Sequence, residues 1–206
     1  MKIVEPFARL ESEMTGQTLI EKIARAARTS HKSAGKGYAA DCALVAKLIG
    51  WGHTSVLEHV SLSATIRTDR AIANELTRHR LCAFTQESTR YVDYTGGGIE
   101  VIRPHELRDD KTKADYMAWF EACVTSELAY KRMRENGASP ETARSVLPLC
   151  TATTLCMTAN LREWRHIFRL RCGKAAHPDI RLLCGDLLRQ VRELVPVVFD
   201  DLEADA

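Results

Sequence analysis

From Val60 to Arg67 apolar and polar residues alternate without a break: Val60, Leu62, Ala64 and Ile66 fall on one side, and Ser61, Ser63, Thr65 and Arg67 on the other. A period of two belongs to a β-strand with one wet face, which must bury its other face against a second layer. Asp69 follows as a helix cap, and Ile72, Ala73 and Leu76 recur at helical spacing. Strand and helix together are expected to aim Arg78, His79 and Arg80. These open the stretch RHRLCAFTQESTRY, Arg78 to Tyr91, which adds Thr85, Gln86, Glu87, Ser88, Thr89 and Arg90. That is the composition of a binding surface, not of a core.

Arginine offers a planar fork of donors matched to phosphate or carboxylate oxygens and stays charged at physiological pH. Ser88 and Thr89 add hydroxyls, and a turn there would add backbone N–H groups. A dianionic phosphate ester suits this set. The alternative is a solvated helix end, in which Arg78 and Arg80 simply complement the dipole of the last turn. On chemistry alone the two readings stand side by side.

The rest of the composition narrows the class. At 206 residues, with 45% hydrophobic and 27% charged residues, the chain reads as one globular domain, 1–206. A net charge of +2 is too small to imply a nucleic-acid footprint, so any cationic function must be local. Neither a membrane-spanning run nor a signal peptide is legible, and a cytoplasmic location is expected. The seven cysteines are odd in number, form no C-x-x-C pair and read as reduced, buried thiols. No metal pattern emerges, since His53 and His59 stand six apart.

Other elements follow from local signals. Lys2 to Leu10 reads as one opening strand. Thr18 with Glu21 forms a capping box for a helix to Arg28, and a second helix spans Ala39 to Ile49 with Gly50 beyond its end. A short strand covers Ile99 to Ile102, and a long helix runs from Lys113 to Asn136. Ser139-Pro140 starts a short helix leading to Arg144. Cys150 to Thr158 reads as a half-buried strand. Asn160 with Glu163 caps a helix to Cys172, on which Arg162, His166 and Arg169 share one face and Leu161, Trp164 and Phe168 point elsewhere. The last long helix starts near Pro178, and the acidic tail Asp200 to Ala206 is expected to fray.

Arg78-His79-Arg80 followed by seven residues and Ser88, then Thr89-Arg90-Tyr91, resembles the signature of the flavin-dependent thymidylate synthases, the thymidylate synthase X family. Further blocks agree in order: RAART at Arg25 to Thr29, HTSVLEH at His53 to His59, ARSVLPL at Ala143 to Leu149 and NLREWRHIFRLR at Asn160 to Arg171. The resemblance implies an α/β (α+β) fold with a twisted, largely antiparallel sheet flanked by helices, assembled as a homotetramer with active sites at subunit interfaces. It also implies reductive methylation of dUMP to dTMP, with 5,10-methylenetetrahydrofolate giving the carbon, FAD relaying the hydride and NADPH reducing the flavin.

By the same resemblance, dUMP is held by Glu75, Arg78, Gln86, Glu87, Ser88, Thr89, Arg90, Arg144 and Arg171. FAD is held by His53, Ser55, Glu58, Arg78, His79, Arg80, Glu87, Asn160, Arg162 and His166. Arg171 and Ser88 are the catalytic candidates, Arg171 because a fixed cation stabilises charge developing on the uracil carbonyls. Three positions depart from the family pattern: Glu75 stands where many members carry glutamine, His166 where some carry asparagine, and Ala176 to Asp179 differs throughout. Glu75 motivates a second reading, a pyrimidine nucleotide methyl- or hydroxymethyltransferase of altered base choice. A non-enzymatic nucleic-acid binder is the third.

Overall fold

In the computed structural model, which describes residues 1–108 and 113–203, Glu5 and Pro6 split the opening segment in two, β1 (Lys2–Val4) and β2 (Phe7–Glu11). The single strand expected there is thus corrected. Proline has no N–H for a ladder, which is why the break falls at this point. Helix α1 (Gly16–Thr29) starts earlier than Thr18: Thr15 is the cap and accepts a hydrogen bond from Thr18 N, while Glu21 accepts from Gln17. Helix α2 (Tyr38–Gly50) takes in Gly50 and ends on Trp51. A 3-10 helix, Thr54–His59, leads into β3 (Ser61–Asp69).

Buried Leu62, Ala64 and Ile66 alternate along β3 with half-buried or exposed neighbours, matching the two-fold pattern. Asp69 caps α3 (Arg70–Leu76) by accepting from Ile72 N at 2.7 Å. There follow β4 (Ala83–Gln86), β5 (Glu100–Ile102), α4 (Lys113–Glu135) and α5 (Pro140–Ala143), the last capped by Ser139 and running on as a 3-10 turn, Arg144–Val146. Then come β6 (Ala152–Asn160), α6 (Leu161–Arg171), α7 (Pro178–Leu194) and α8 (Pro196–Phe199).

The fold is mixed α and β with a mostly antiparallel sheet flanked by helices. The four-stranded sheet has the order β2-β3-β6-β4, and β1 pairs with β5 in parallel, Ile3 opposite Val101. Ser63 bonds Thr158 and Val60 accepts from Leu161, so rising numbers on β3 meet falling numbers on β6, which makes this central pair antiparallel. Among the described residues no helix is long and apolar enough to cross a membrane.

Contacts divide the chain into two compact units. The first comprises 1–7, 66–78 and 85–155, the second 8–65, 79–84 and 156–206. In the first unit Tyr94, Ile99, Val101, Cys123, Tyr130 and Ala143 form the core, with Tyr94 and Tyr130 edge to face at 5.7 Å. The second is built on helices: α1 packs on α2, α6 on α7, and α7 on α8. In its core Trp164 stacks on Phe168 and Phe168 meets Phe199 edge to face, and Trp164 Nε1 donates to Leu62 O at 3.0 Å, pinning α6 to β3.

Two expectations change here. Cys156 is exposed and Cys42, Cys82 and Cys150 are only half-buried, although all seven thiols are free. The acidic tail is anchored as far as it is described. Asp201 binds the buried guanidinium of Arg165 through both oxygens, at 2.6 and 2.5 Å, and Leu202 is buried; residues 204–206 lie outside the described residues.

Candidate active site

In the second unit the turn after α3 carries His79 into the interior, 6% exposed, while Arg80 beside it is exposed. Cys82 N donates to His79 O at 3.2 Å and closes that turn. Arg171, the last residue of α6, donates from Nε to His79 Nε2 at 3.1 Å. An acceptor on Nε2 requires a neutral ring protonated on Nδ1. Burial, reinforced by the Arg171 guanidinium and the His166 ring, pushes His79 down to about 4, in agreement. Glu163 Oε1 lies 3.7 Å from His79 Nδ1; with the ring neutral this is an oriented contact and not an ion pair.

Two clefts open in the same unit and share Thr54 and Arg162 as walls. One, of about 560 Å³, runs between α1, α2 and the 3-10 helix and exposes His53, Ser55, Leu44, Leu48 and Trp51. Lys47 sits 4.4 Å over the Trp51 ring and His53 meets its edge at 5.8 Å. The other, of about 600 Å³, is lined by Glu58, Asn160, Arg162, Glu163, His166 and Arg169. Arg162 and Glu58 pair across its rim at 2.5 Å. Asn160 uses its side-chain oxygen to cap α6, accepting from Glu163 N at 2.9 Å, so its amide nitrogen is what it can offer a ligand. Apolar and aromatic walls beside cations and hydroxyls fit a ligand with flat rings and a pyrophosphate.

The first unit assembles a different set. Glu87 N donates to Thr154 O and Gln86 Nε2 to Thr153 Oγ1, fastening the end of β4 to β6. Ser88 Oγ accepts from Arg90 N at 3.3 Å and Ser88 O from Tyr91 N and Val92 N, so the serine folds this segment into a turn. Arg90 pairs with Glu141 on α5 at 2.9 Å, and Arg144 Nη1 reaches Thr89 Oγ1 at 3.5 Å. Both arginines are exposed and draw the turn and the α5 segment together. Glu87 accepts from Tyr94 OH at 3.3 Å, whose proton burial and the Glu87 charge push up to about 12, and Arg70 Nη2 donates to Glu87 O. Glu75 is half-buried in α3, and its carbonyl accepts from Arg78 N. Exposed cations, hydroxyls and turn amides can bind a phosphate monoester.

Residues 9–197 match the family described as thymidylate synthase complementing protein. The chain belongs to this family. It is 35% identical over 161 residues to the flavin-dependent thymidylate synthase of Geobacter sulfurreducens, which covers 77% of this chain and 68% of that protein. It is 33% identical over 208 residues to the flavin-dependent thymidylate synthase of Mycolicibacterium gilvum, covering 93% and 81%. Its fold is similar to that of PolB from Streptomyces cacaoi, a UMP/dUMP methylase crystallised with 5-Br dUMP, with a TM-score of 0.81, 23% identity and coverage of 97% and 96%.

For this member of the thymidylate synthase complementing family the candidate residues fall into two groups. His53, Ser55, Glu58, His79, Arg80, Asn160, Arg162, His166 and Arg171 lie in the second unit, and Glu75, Arg78, Gln86, Glu87, Ser88, Thr89, Arg90 and Arg144 in the first. Sequence reasoning missed Trp51, Tyr94, Glu141 and Arg70 as neighbours of these groups. Only Arg70 had a signal, as the first residue after the Asp69 cap. It also read Glu163 as half of a capping box, whereas the Glu163 carboxylate turns toward His79.

Proposed function

We propose that this chain is a flavin-dependent thymidylate synthase, an enzyme that reductively methylates dUMP to dTMP with 5,10-methylenetetrahydrofolate as carbon donor and NADPH as reductant. The observation that carries the reading is the family match over residues 9–197, together with a cation- and hydroxyl-lined pair of clefts at the positions expected to hold FAD. FAD, when bound, supplies the hydride that completes the methyl group.

The chain's own residues bind and orient. His53, Ser55, Glu58, Arg78, His79, Arg80, Glu87, Asn160, Arg162 and His166 would hold the flavin. Ser88, Thr89, Arg90 and Arg144 would hold the nucleotide phosphate, and Glu75, Gln86 and Glu87 the rest of dUMP. Arg171 would place a guanidinium against the uracil carbonyls, where charge develops as C5 turns nucleophilic. Neutral His79 keeps Arg171 oriented without a second positive charge next to it. No thiol nucleophile is needed, and burial pushes Cys82, the thiol in the turn after His79, up to about 12, far from a reactive thiolate.

The same reading takes 1–206 as one functional domain, in a cytoplasmic homotetramer whose sites are completed where subunits meet. Purified protein should turn yellow with added FAD and convert dUMP to dTMP with methylenetetrahydrofolate and NADPH. Protein that neither takes up FAD nor consumes dUMP contradicts the reading. Running UMP and dCMP in parallel tests base and sugar choice, for which Glu75 is the position in question.

A further inference from the structure

We propose that Glu163 is a positioning residue for Arg171, acting through the tautomer of His79. The inference rests on the reading of Arg171 as the cation at the reacting pyrimidine.

Glu163 is the third residue of α6, and Asn160 caps that helix by accepting from Glu163 N. In an Asn-x-x-Glu box the glutamate ordinarily reaches back to the N–H of the cap residue and stays at the surface. Here it does not. The residue is 8% exposed, and its carboxylate lies 3.7 Å from His79 Nδ1. Burying a carboxylate is costly unless a donor faces it.

The other nitrogen of the ring completes the argument. His79 Nε2 accepts from Arg171 Nε, so its lone pair points at Arg171 and the ring proton sits on Nδ1, the side facing Glu163. A negative charge at that range favours the Nδ1–H tautomer over the Nε2–H form, which would set an N–H against the Arg171 N–H. Glu163 thus specifies the acceptor that holds Arg171. His166, with its ring 6.1 Å from that of His79, flanks the same ring. Ligand atoms of His79, Glu163 and His166 come within 4.8 Å of one another, as in a metal site. A metal facing Glu163 would need the Nδ1 lone pair, however, and the Arg171 bond has put a proton there.

The test uses the full-length, FAD-loaded protein with Glu163→Leu, which removes acceptor and charge at similar size, and Glu163→Gln, which keeps a neutral acceptor. Glu163→Met stands in should the leucine variant not fold. The tautomer is read by NMR on protein labelled with 15N-histidine, the His79 signals being assigned by their loss in His79→Gln. We expect His79 to be protonated on Nδ1 in wild type and in Glu163→Gln and to become a tautomer mixture in Glu163→Leu. Turnover of dUMP should fall about 10- to 100-fold in Glu163→Leu with a smaller change in KM, as for other groups that orient a functional residue, and should largely return in Glu163→Gln. In an Arg171→Ala background Glu163→Leu should cause no further loss.

An unchanged tautomer in Glu163→Leu, or a loss that multiplies fully with that of Arg171→Ala, overturns the proposal. Should wild type itself fail to turn over dUMP, the enzymatic reading falls, and the tautomer comparison still decides whether Glu163 sets the ring.

Discussion

Arg171 Nε donates to His79 Nε2 at 3.1 Å, a bond that exists only while the ring is neutral. Protonating His79 would put two positive charges in contact inside the protein.

The first prediction concerns pH. The folded value of about 4 lies below the ordinary 6.5, so the unfolded chain binds more protons between them and stability rises with pH across that window. The contribution is fully present above 6.5 and is lost as pH falls toward 4. For this buried ring it amounts to about 3 kcal/mol. Urea unfolding from pH 7 to 4.5 should show the slope, and His79→Gln should flatten it; parallel slopes in both proteins would rule it out.

Arg171→Ala should cut turnover roughly 100- to 1000-fold, the usual loss on deleting one donor to a developing oxyanion. FAD absorbance at saturating flavin should stay as in wild type. Turnover within threefold of wild type would remove Arg171 from the chemistry.

In the first unit Arg144→Ala should raise KM for dUMP about 10- to 100-fold, as expected for one charge-assisted hydrogen bond to phosphate. Ser88→Ala should raise it less, about 10-fold, through loss of the turn bond to Arg90 N. Uridine-level substrates without the phosphate would separate the roles, because Arg144→Ala should no longer matter for them.

Helix starts were legible at Asp69, Ser139 and Asn160, where the cap is a contact within three residues. The same rule misplaced α1, because Thr15 and Thr18 both carry hydroxyls and it is Thr15 that accepts from Thr18 N. The cationic face of α6 was legible because helical spacing fixes it. The joining of the Arg90 turn to the Arg144 segment was not, since it depends on Arg90 meeting Glu141 and Arg144 meeting Thr89, residues more than 50 apart in sequence. Neither was the direction of Glu163, which is decided by a buried histidine far away in sequence. Motif order pointed to the residues; which side chains pair within each group came only from tertiary packing.

Gly16 illustrates such a constraint. A Cβ there would lie 1.9 Å from Leu194 O, a backbone atom that cannot swing away. Gly16→Ala should therefore destabilise the second unit by about 1–3 kcal/mol despite alanine's better helix propensity, an overpacking cost. The thermal midpoint should fall; a rise would mean that α1 and α7 can part without penalty.

Arg165 and Asp201 allow a last prediction that tests the anchored tail. Arg165 is 2% exposed and its guanidinium is held by both oxygens of Asp201 and by Val198 O. The hydrogen bonds from Arg165 hold the Asp201 carboxyl below its usual range. The pair's stabilisation is thus present above the ordinary carboxylate value and is lost as pH falls through the lowered one. Deleting one partner of a buried pair strands the other's charge; because Asp201 is half exposed, water recovers part of that cost, leaving about 2 kcal/mol. Asp201→Ala should lower the urea midpoint accordingly, while Asp200→Ala, at an exposed site, should leave it within error. Arg165→Leu with Asp201→Ala should recover much of the loss, since no buried charge is then left unmatched. If Asp201→Ala and Asp200→Ala behave alike, the tail contributes nothing and Arg165 must be neutralised by other groups.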